Sequence, residues 1–407
     1  MPNPSAHPSR RLRPGPPAWL TRQVLALGLV ALFTDMGTEM GMPLLPALIA
    51  SLGGGALALG MLDGLAEAVA AVLQAFSGHW ADRAGRRKPF ILAGYSLSGL
   101  VRPLFGLAAA PWQVVAVRAS DRVGKGLRKP SVNALLDAQA TPATRGRVFG
   151  FYDALDNAGQ MLGPLVAMAL LVAWSGDLRK ALLCAVVPGA LAVAVILGWL
   201  KDAPPRTRPD RAAPLPWLPP RALLPALLPV AVFSLGNASD LFLLLKVNQE
   251  GAALWRQALL WAGYSAFKVL SALWGGRLCD KVGPHLTISL GWAFYACVYA
   301  AFAAVTSLGA TTGIFLAYGL FHGFSEGPLK ALVGSLTPAP LKSTAYGWLG
   351  LTTGLAALPS GLLFGWLWES RGAPTAFGTA AALALLGLAL LWVPGRPRPA
   401  ARGRLGR

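Results

Sequence analysis

Gly78-His79-Trp80-Ala81-Asp82-Arg83-Ala84-Gly85-Arg86-Arg87-Lys88 sets four cations and one carboxylate between two long apolar runs. Read alone, it is a short cytoplasmic turn. Bases beside a membrane span stay on the cytoplasmic side, so this turn orients the spans that flank it. A second copy follows at Gly276-Arg277-Leu278-Cys279-Asp280-Lys281-Val282-Gly283, where the glycine, aspartate, base and second glycine are all displaced by 198 positions. That displacement is close to half the chain. Two similar halves, each with a charged hairpin between apolar helices, are a recurring plan of secondary transporters.

Composition agrees with a polytopic membrane protein. The 407 residues are 55% hydrophobic and 13% charged, with a mean hydropathy of +0.53, well above the soluble range. A net charge of +19 raises the question of a nucleic-acid partner. The bases instead cluster at alternate ends of the apolar runs: Arg10, Arg11, Arg13 and Arg22, then Arg83 to Lys88, then Arg145 and Arg147, then Lys201 to Arg221. This is the positive-inside pattern, and it argues against nucleic acid. Cys184, Cys279 and Cys297 show neither metal nor disulfide spacing. Ser9-Arg10-Arg11 resembles the start of an export signal, but the following run is long and holds Asp35 and Glu39, so an uncleaved first span is expected.

A span needs about 20 apolar residues, and twelve such runs are present: 20–50, 57–78, 89–110, 112–136, 148–173, 180–200, 222–246, 254–275, 285–306, 310–336, 344–368 and 374–393. The expected fold is an all-α membrane protein of twelve transmembrane helices in two pseudo-symmetric six-helix halves. The halves are 20–200 and 222–393, with tails at 1–19 and 394–407 and a Pro/Arg-rich linker at 201–221. Both termini are expected in the cytoplasm, and the lipid bilayer is a constant partner. Tryptophans near span ends (Trp19, Trp112, Trp174, Trp199, Trp217, Trp255) read as interface anchors.

Ionisable residues inside spans cost several kcal/mol unless they meet a partner or a wet cavity. Helix 1 carries Asp35 and Glu39, and helix 2 carries Asp63 and Glu67, each pair at i,i+4 and so on one face. Helix 4 carries Arg118, Asp121, Arg122, Lys125 and Arg128, and helix 5 carries Asp153 and Asp156. The second half offers Asp240, Lys246, Lys268, Glu326 and Lys330. These groups are either structural bridges or the lining of a central cavity in which a carboxylate loads and releases a proton. Asp35 and Glu39 are the first candidates for a proton, and for a metal ion if one is transported. His322 reads as a packed residue, and the four histidines support no soft metal site.

The stretch Gly78–Lys88 resembles the signature loop between helices 2 and 3 of the major facilitator superfamily. Gly159-Gln160-Met161-Leu162-Gly163-Pro164 is similar to the glycine-proline motif of its antiporters, without the final glycine pair. Asp35-x3-Glu39-Met40-x2-Pro43-x-Leu45-Pro46, Arg118-x2-Asp121-Arg122-x-Gly124-Lys125-Gly126-x-Arg128 and Arg145-Gly146 with Phe149-Gly150-Phe151 are similar to one bacterial subgroup, some of whose members are linked to efflux of divalent metals. That subgroup's Pro-Arg-Asp is here Ser131-Val132-Asn133, and its His-Arg is Tyr152-Asp153. The resemblance implies a monomeric, non-enzymatic secondary transporter of the bacterial inner membrane that exports a metal ion, metal chelate or drug-like compound against protons, without a cofactor. It also implies a gate built from Gly78, Asp82, Arg83, Gly85, Arg86, Arg87, Arg128 and Asp280. Proton-coupled uptake, a non-transporting sensor and a polytopic membrane enzyme are the competing readings.

Overall fold

Backbone N–H and C=O groups find no water inside a bilayer, so apolar runs of this length close their hydrogen bonds internally as helices. The computed structural model describes residues 19–84, 86–141, 144–202, 223–337 and 342–393. The N-terminal half consists of α1 (Arg22–Ser51), α2 (Ala56–Ala84), α3 (Lys88–Leu107), α4 (Pro111–Gln139), α5 (Arg145–Ala173) and α6 (Leu178–Trp199). The C-terminal half consists of α7 (Leu224–Gln249), α8 (Leu254–Val282), α9 (Pro284–Ala304), α10 (Leu308–Leu336), α11 (Lys342–Arg371) and α12 (Ala373–Leu391). Among the described residues, nine of these helices are long and apolar enough to cross a membrane. The other three, α4, α8 and α10, have 29 residues each and carry ionisable residues along their length.

Two features differ from the sequence reading. Gly78–Ala84 is not a turn but the last two turns of α2, and Gly276–Val282 likewise ends α8. Counting apolar residues measures the bilayer, whereas a 29-residue helix is about 44 Å long and carries its polar end beyond a hydrocarbon core of about 30 Å. The seventh span is not continuous either. It unwinds at Asn237-Ala238-Ser239-Asp240 between two helical segments.

Lys201 and Asp202, which follow α6, are tied to the first half. Asp202 Oδ1 accepts from Arg87 N at 3.0 Å and Lys88 N at 3.3 Å, capping α3, and Lys201 exchanges hydrogen bonds with Gln23. Trp112, Trp174, Trp199 and Trp255 sit exposed near helix ends.

The halves meet through α2 with α11, α5 with α8, and the second segments of α1 and α7. The α2–α11 contact is backbone on backbone: a Cβ on Gly60 would lie 2.0 Å from the Gly361 carbonyl oxygen. These approaches run from Ala56 to Ala71 on α2, the portion away from the termini, while Gly347 and Gly350 farther along α11 face open space. The apolar core repeats this asymmetry. One cluster joins Leu45, Leu48 and Leu59 of the first half to Leu241–Leu245 and Phe364 of the second. At the terminus-bearing end, a separate cluster around Val24, Ile91, Leu135 and Ile196 stays within the first half. The halves are therefore sealed at the far end, and a cleft between them opens toward the termini.

Candidate functional site

The buried polar groups form three sets, bridged across the halves by Ser239–Asp63 and Trp261–Glu39. The first lies in the N-terminal half. Where α3 tightens into a 3-10 turn at Arg102-Pro103, the Arg102 guanidinium is fully enclosed, giving Nε to Asp121 Oδ1 at 2.9 Å and a second N–H to the Thr34 carbonyl at 2.7 Å. Arg118, one turn before Asp121 on α4, reaches Asp63 Oδ1 on α2 at 2.9 Å and Asp121 at 3.8 Å. Arg122 lies 3.3 Å from Glu67, whose side chain is 40% exposed toward the cleft. Helical spacing thus arrays the α4 bases Arg118 and Arg122 against the two carboxylates of α2.

The second set joins α1 to α5. Gly159 and Gly163 let these helices touch, since a Cβ at either would fall within 2.5 Å of an α1 carbonyl oxygen. Close approach brings the Gln160 amide between two carboxyls, where Nε2 donates to Asp35 Oδ2 and to Asp156 Oδ2, both at 3.2 Å. The two carboxyls thus share one amide nitrogen as donor. Glu39, one turn beyond Asp35, points elsewhere and accepts from Trp261 Nε1 of α8 at 2.7 Å, a bond between the halves.

The third set is in the C-terminal half and starts at the break in α7. Ser239 Oγ donates across the interface to Asp63 Oδ2 at 2.7 Å. The next residue, Asp240, accepts from Tyr264 and, at 2.8 Å, from Tyr318. Tyr264 is 2.6 Å from His322 Nε2, and His322 Nδ1 is 3.1 Å from Glu326 Oε1.

The remaining candidates are dispersed. Lys125 lies among the charges of Glu67, Arg122 and Asp35, and Lys268 among Glu326, Asp240 and Glu39. Asp153 and Lys330 are exposed and near each other across α5 and α10. Lys246 is 3.7 Å from Glu250. Arg128 bonds Ser98 at 2.8 Å and lies over the Tyr95 ring. Of the gating set, Arg87 donates to the Ala134 carbonyl at 3.1 Å, while Arg86 and Asp280 are exposed. Gly85 and the side chains at Gly78, Asp82 and Arg83 lie outside the described residues. Among the described residues, no three His, Cys, Asp or Glu side chains converge as metal ligands.

Sequence reasoning overlooked Arg102, Gln160 as a ligand of two carboxyls, Ser239, Trp261, Tyr264 and Tyr318. For Arg102 the signal was present, because a base inside an apolar run is as anomalous in α3 as in α4. The tyrosines and Trp261 carry no such mark, since aromatic residues are ordinary in membrane helices.

The fold and the sequence point the same way. The chain matches the family model of the Major Facilitator Superfamily over residues 27–360 and again over 256–406. It belongs to that superfamily. This major facilitator protein is 30% identical over 383 residues to an uncharacterised MFS-type transporter of Methanocaldococcus jannaschii, covering 92% of this chain and 95% of that protein. A shorter likeness, 34% over 134 residues, links 31% of it to 33% of the multidrug resistance protein MdtH of Photorhabdus laumondii. Its fold is similar to that of a bacterial homologue of the human lysosomal transporter Spinster in an inward-facing, occupied conformation, with a TM-score of 0.74, 16% identity, and 93% and 97% of the two chains covered. It is also similar to that of the nucleoside transporter NupG, with a TM-score of 0.69, 13% identity, and 91% and 98% covered. The protein is a multi-pass membrane transporter of this superfamily.

Proposed function

We propose that this major facilitator transporter is a proton-coupled exporter of the bacterial inner membrane, with both termini cytoplasmic and a drug-like compound, metal chelate or metal ion as cargo. The observation that carries the coupling is the Asp35–Gln160–Asp156 contact. Two carboxyls that share one amide donor repel each other when both carry charge, and in this reading that repulsion is what a coupling proton relieves. The positive-inside distribution supports a cytoplasmic position for the terminus-bearing end. The cleft then faces the cytoplasm, where an exporter loads, and the MdtH likeness favours a drug-like cargo over a metal.

In this reading, the cargo enters the cleft and displaces the proton shared by Asp35 and Asp156, whose paired charge repels until the halves rock. Opening to the other side breaks the Ser239–Asp63 and Trp261–Glu39 bonds. A proton from outside then returns the carboxyls to their shared state and draws the halves back. The transporter performs no covalent chemistry on its cargo.

A thermal-shift panel of divalent metals, metal chelates, amphiphilic drugs and organic anions selects a cargo. Flux in proteoliposomes then tests the coupling. Wild-type protein should accumulate the cargo uphill against an imposed pH gradient. Asp35→Asn should lose uphill accumulation and keep downhill exchange. Unchanged uphill accumulation in that variant removes Asp35 from the mechanism, and accumulation in the same direction as proton flow makes the protein a symporter.

A further inference from the structure

Glu326, His322, Tyr264 and Asp240 form an unbroken chain of hydrogen bonds from the cleft to the break in α7. Counting donors shows what it holds. Tyr264 has a single O–H but two close partners, the Asp240 carboxyl and His322 Nε2. If the hydroxyl donates to Asp240, Nε2 must carry the hydrogen that the Tyr264 oxygen accepts. Nδ1 then meets Glu326 either as an N–H on a carboxylate, making His322 an imidazolium, or as a lone pair facing a carboxylic acid. In both cases the His322–Glu326 pair holds one proton more than a neutral imidazole beside a carboxylate.

The alternative arrangement places that same proton at the other end. Asp240 is then the acid and donates to the Tyr264 oxygen, the hydroxyl donates to Nε2, Nδ1 keeps its hydrogen and Glu326 is ionised. Passing between the two requires only that each hydrogen cross the bond it already occupies. The Nε2 hydrogen moves to the Tyr264 oxygen as the tyrosine's own hydrogen moves to Asp240 Oδ2, and no heavy atom is displaced. We infer that this chain is a proton wire and that Asp240 is a second carboxyl on which the transporter carries a proton, an inference that rests on the reading of the protein as proton-coupled.

The ends of the wire are suited to the task. The Glu326 side chain is 58% exposed to the cleft and can exchange with water, whereas Asp240 sits one residue from Ser239, which bonds Asp63 of the other half. Tyr318 holds the second oxygen of Asp240, so the carboxyl keeps its orientation in either state. Each end of the wire faces a cation, and Glu326 faces one more than Asp240 does. Lys268 of α8 lies near both Asp240 and Glu326, and Lys330 lies near Glu326. From α9 the wire meets only the neutral hydroxyls of Tyr295 and Tyr299, and from α2 it meets Asp63 through Ser239.

The test uses the full-length protein in liposomes, with the proton as ligand, followed by infrared difference spectra on lowering the pH. Wild type should show a carboxylic-acid band that is missing from Asp240→Asn and retained in Asp35→Asn. Tyr264→Phe keeps the ring packing but cuts the wire, so the Asp240 band should persist and form roughly 10²-fold more slowly after a pH jump, the size of effect that removing a positioned proton-transfer group has. The inference is overturned if Asp240→Asn shows every wild-type band, or if Tyr264→Phe loads at the wild-type rate. Loss of pH-driven flux in the wild type would instead overturn the coupling reading, and the Asp240 band decides the wire independently of it.

Discussion

Arg102 is the residue on which the N-terminal cluster closes. Its side chain and that of Asp121 are 3% and 2% exposed, so neither charge can turn to water if the other is lost. Breaking a buried ion pair by removing one partner costs about 3–5 kcal/mol, whereas replacing both partners by apolar groups is often near neutral. Arg102→Leu should therefore lower the melting temperature by several degrees, and Arg102→Leu with Asp121→Leu should regain most of that loss. Equal destabilisation of single and double variants would mean that the Thr34 carbonyl contact, not the ion pair, is what matters. At this scale the sequence marks which side chains are out of place in lipid, and Asp35, Asp63, Arg118 and Asp240 all prove to be engaged between helices. It does not mark their partners. The i,i+4 spacing of Asp35 and Glu39 puts both on one face, yet one turns to Gln160 and the other to Trp261, because the partner depends on which neighbouring helix stands at that height.

Helix ends and breaks carry the connections between the halves. Twelve runs were legible as twelve helices, but the break in α7 was not, although Gly236-Asn237 followed by Ser239-Asp240 has the residues of a helix stop and restart. Hydropathy averages over such a step, since the four unwound residues are flanked on both sides by apolar helical turns. The start of α2 is a second case. Its Leu57 N–H is capped at 2.8 Å by Glu369 of α11, so a carboxylate of one half satisfies the positive end of a helix in the other. Beside this contact, a cavity of about 210 Å³ lies between Pro46, Ala50, Leu245, Asn248 and Glu369. Losing a cap costs about 1 kcal/mol, which as a bias on a two-state equilibrium is a factor of about five. Glu369→Ala should shift the population toward the form open at the far end by about that factor, read from spin-label distances across that end. Unchanged distance distributions would show that the cap stabilises α2 without holding the halves together.

The division into halves was read from a 198-residue displacement of one charged motif, and at the terminus-bearing end one buried apolar cluster draws its residues from the first half alone. Which end is sealed was not visible, because both conformations of a rocking protein use the same sequence and differ only in which inter-half contacts are made. Here those contacts include the approach of Gly60 to Gly361, which tolerates no side chain: the added methyl of Gly60→Ala would meet a carbonyl oxygen at 2.0 Å. Backbone cannot yield as a side-chain tip can, so the methyl pushes α2 and α11 apart at the far end. If the halves move as rigid bodies about the buried polar sets, parting there must narrow the cleft at the other end. A cysteine at Glu326, in a chain with Cys184, Cys279 and Cys297 replaced by serine, should then react more slowly with a polar maleimide when Gly60→Ala is added, while a label at the far end reacts faster. A slower reaction at one end without a faster one at the other would mean that the methyl unfolds the contact locally. Only opposite changes at the two ends make the α2–α11 seam the far-end gate of a molecule that rocks about its buried polar sets.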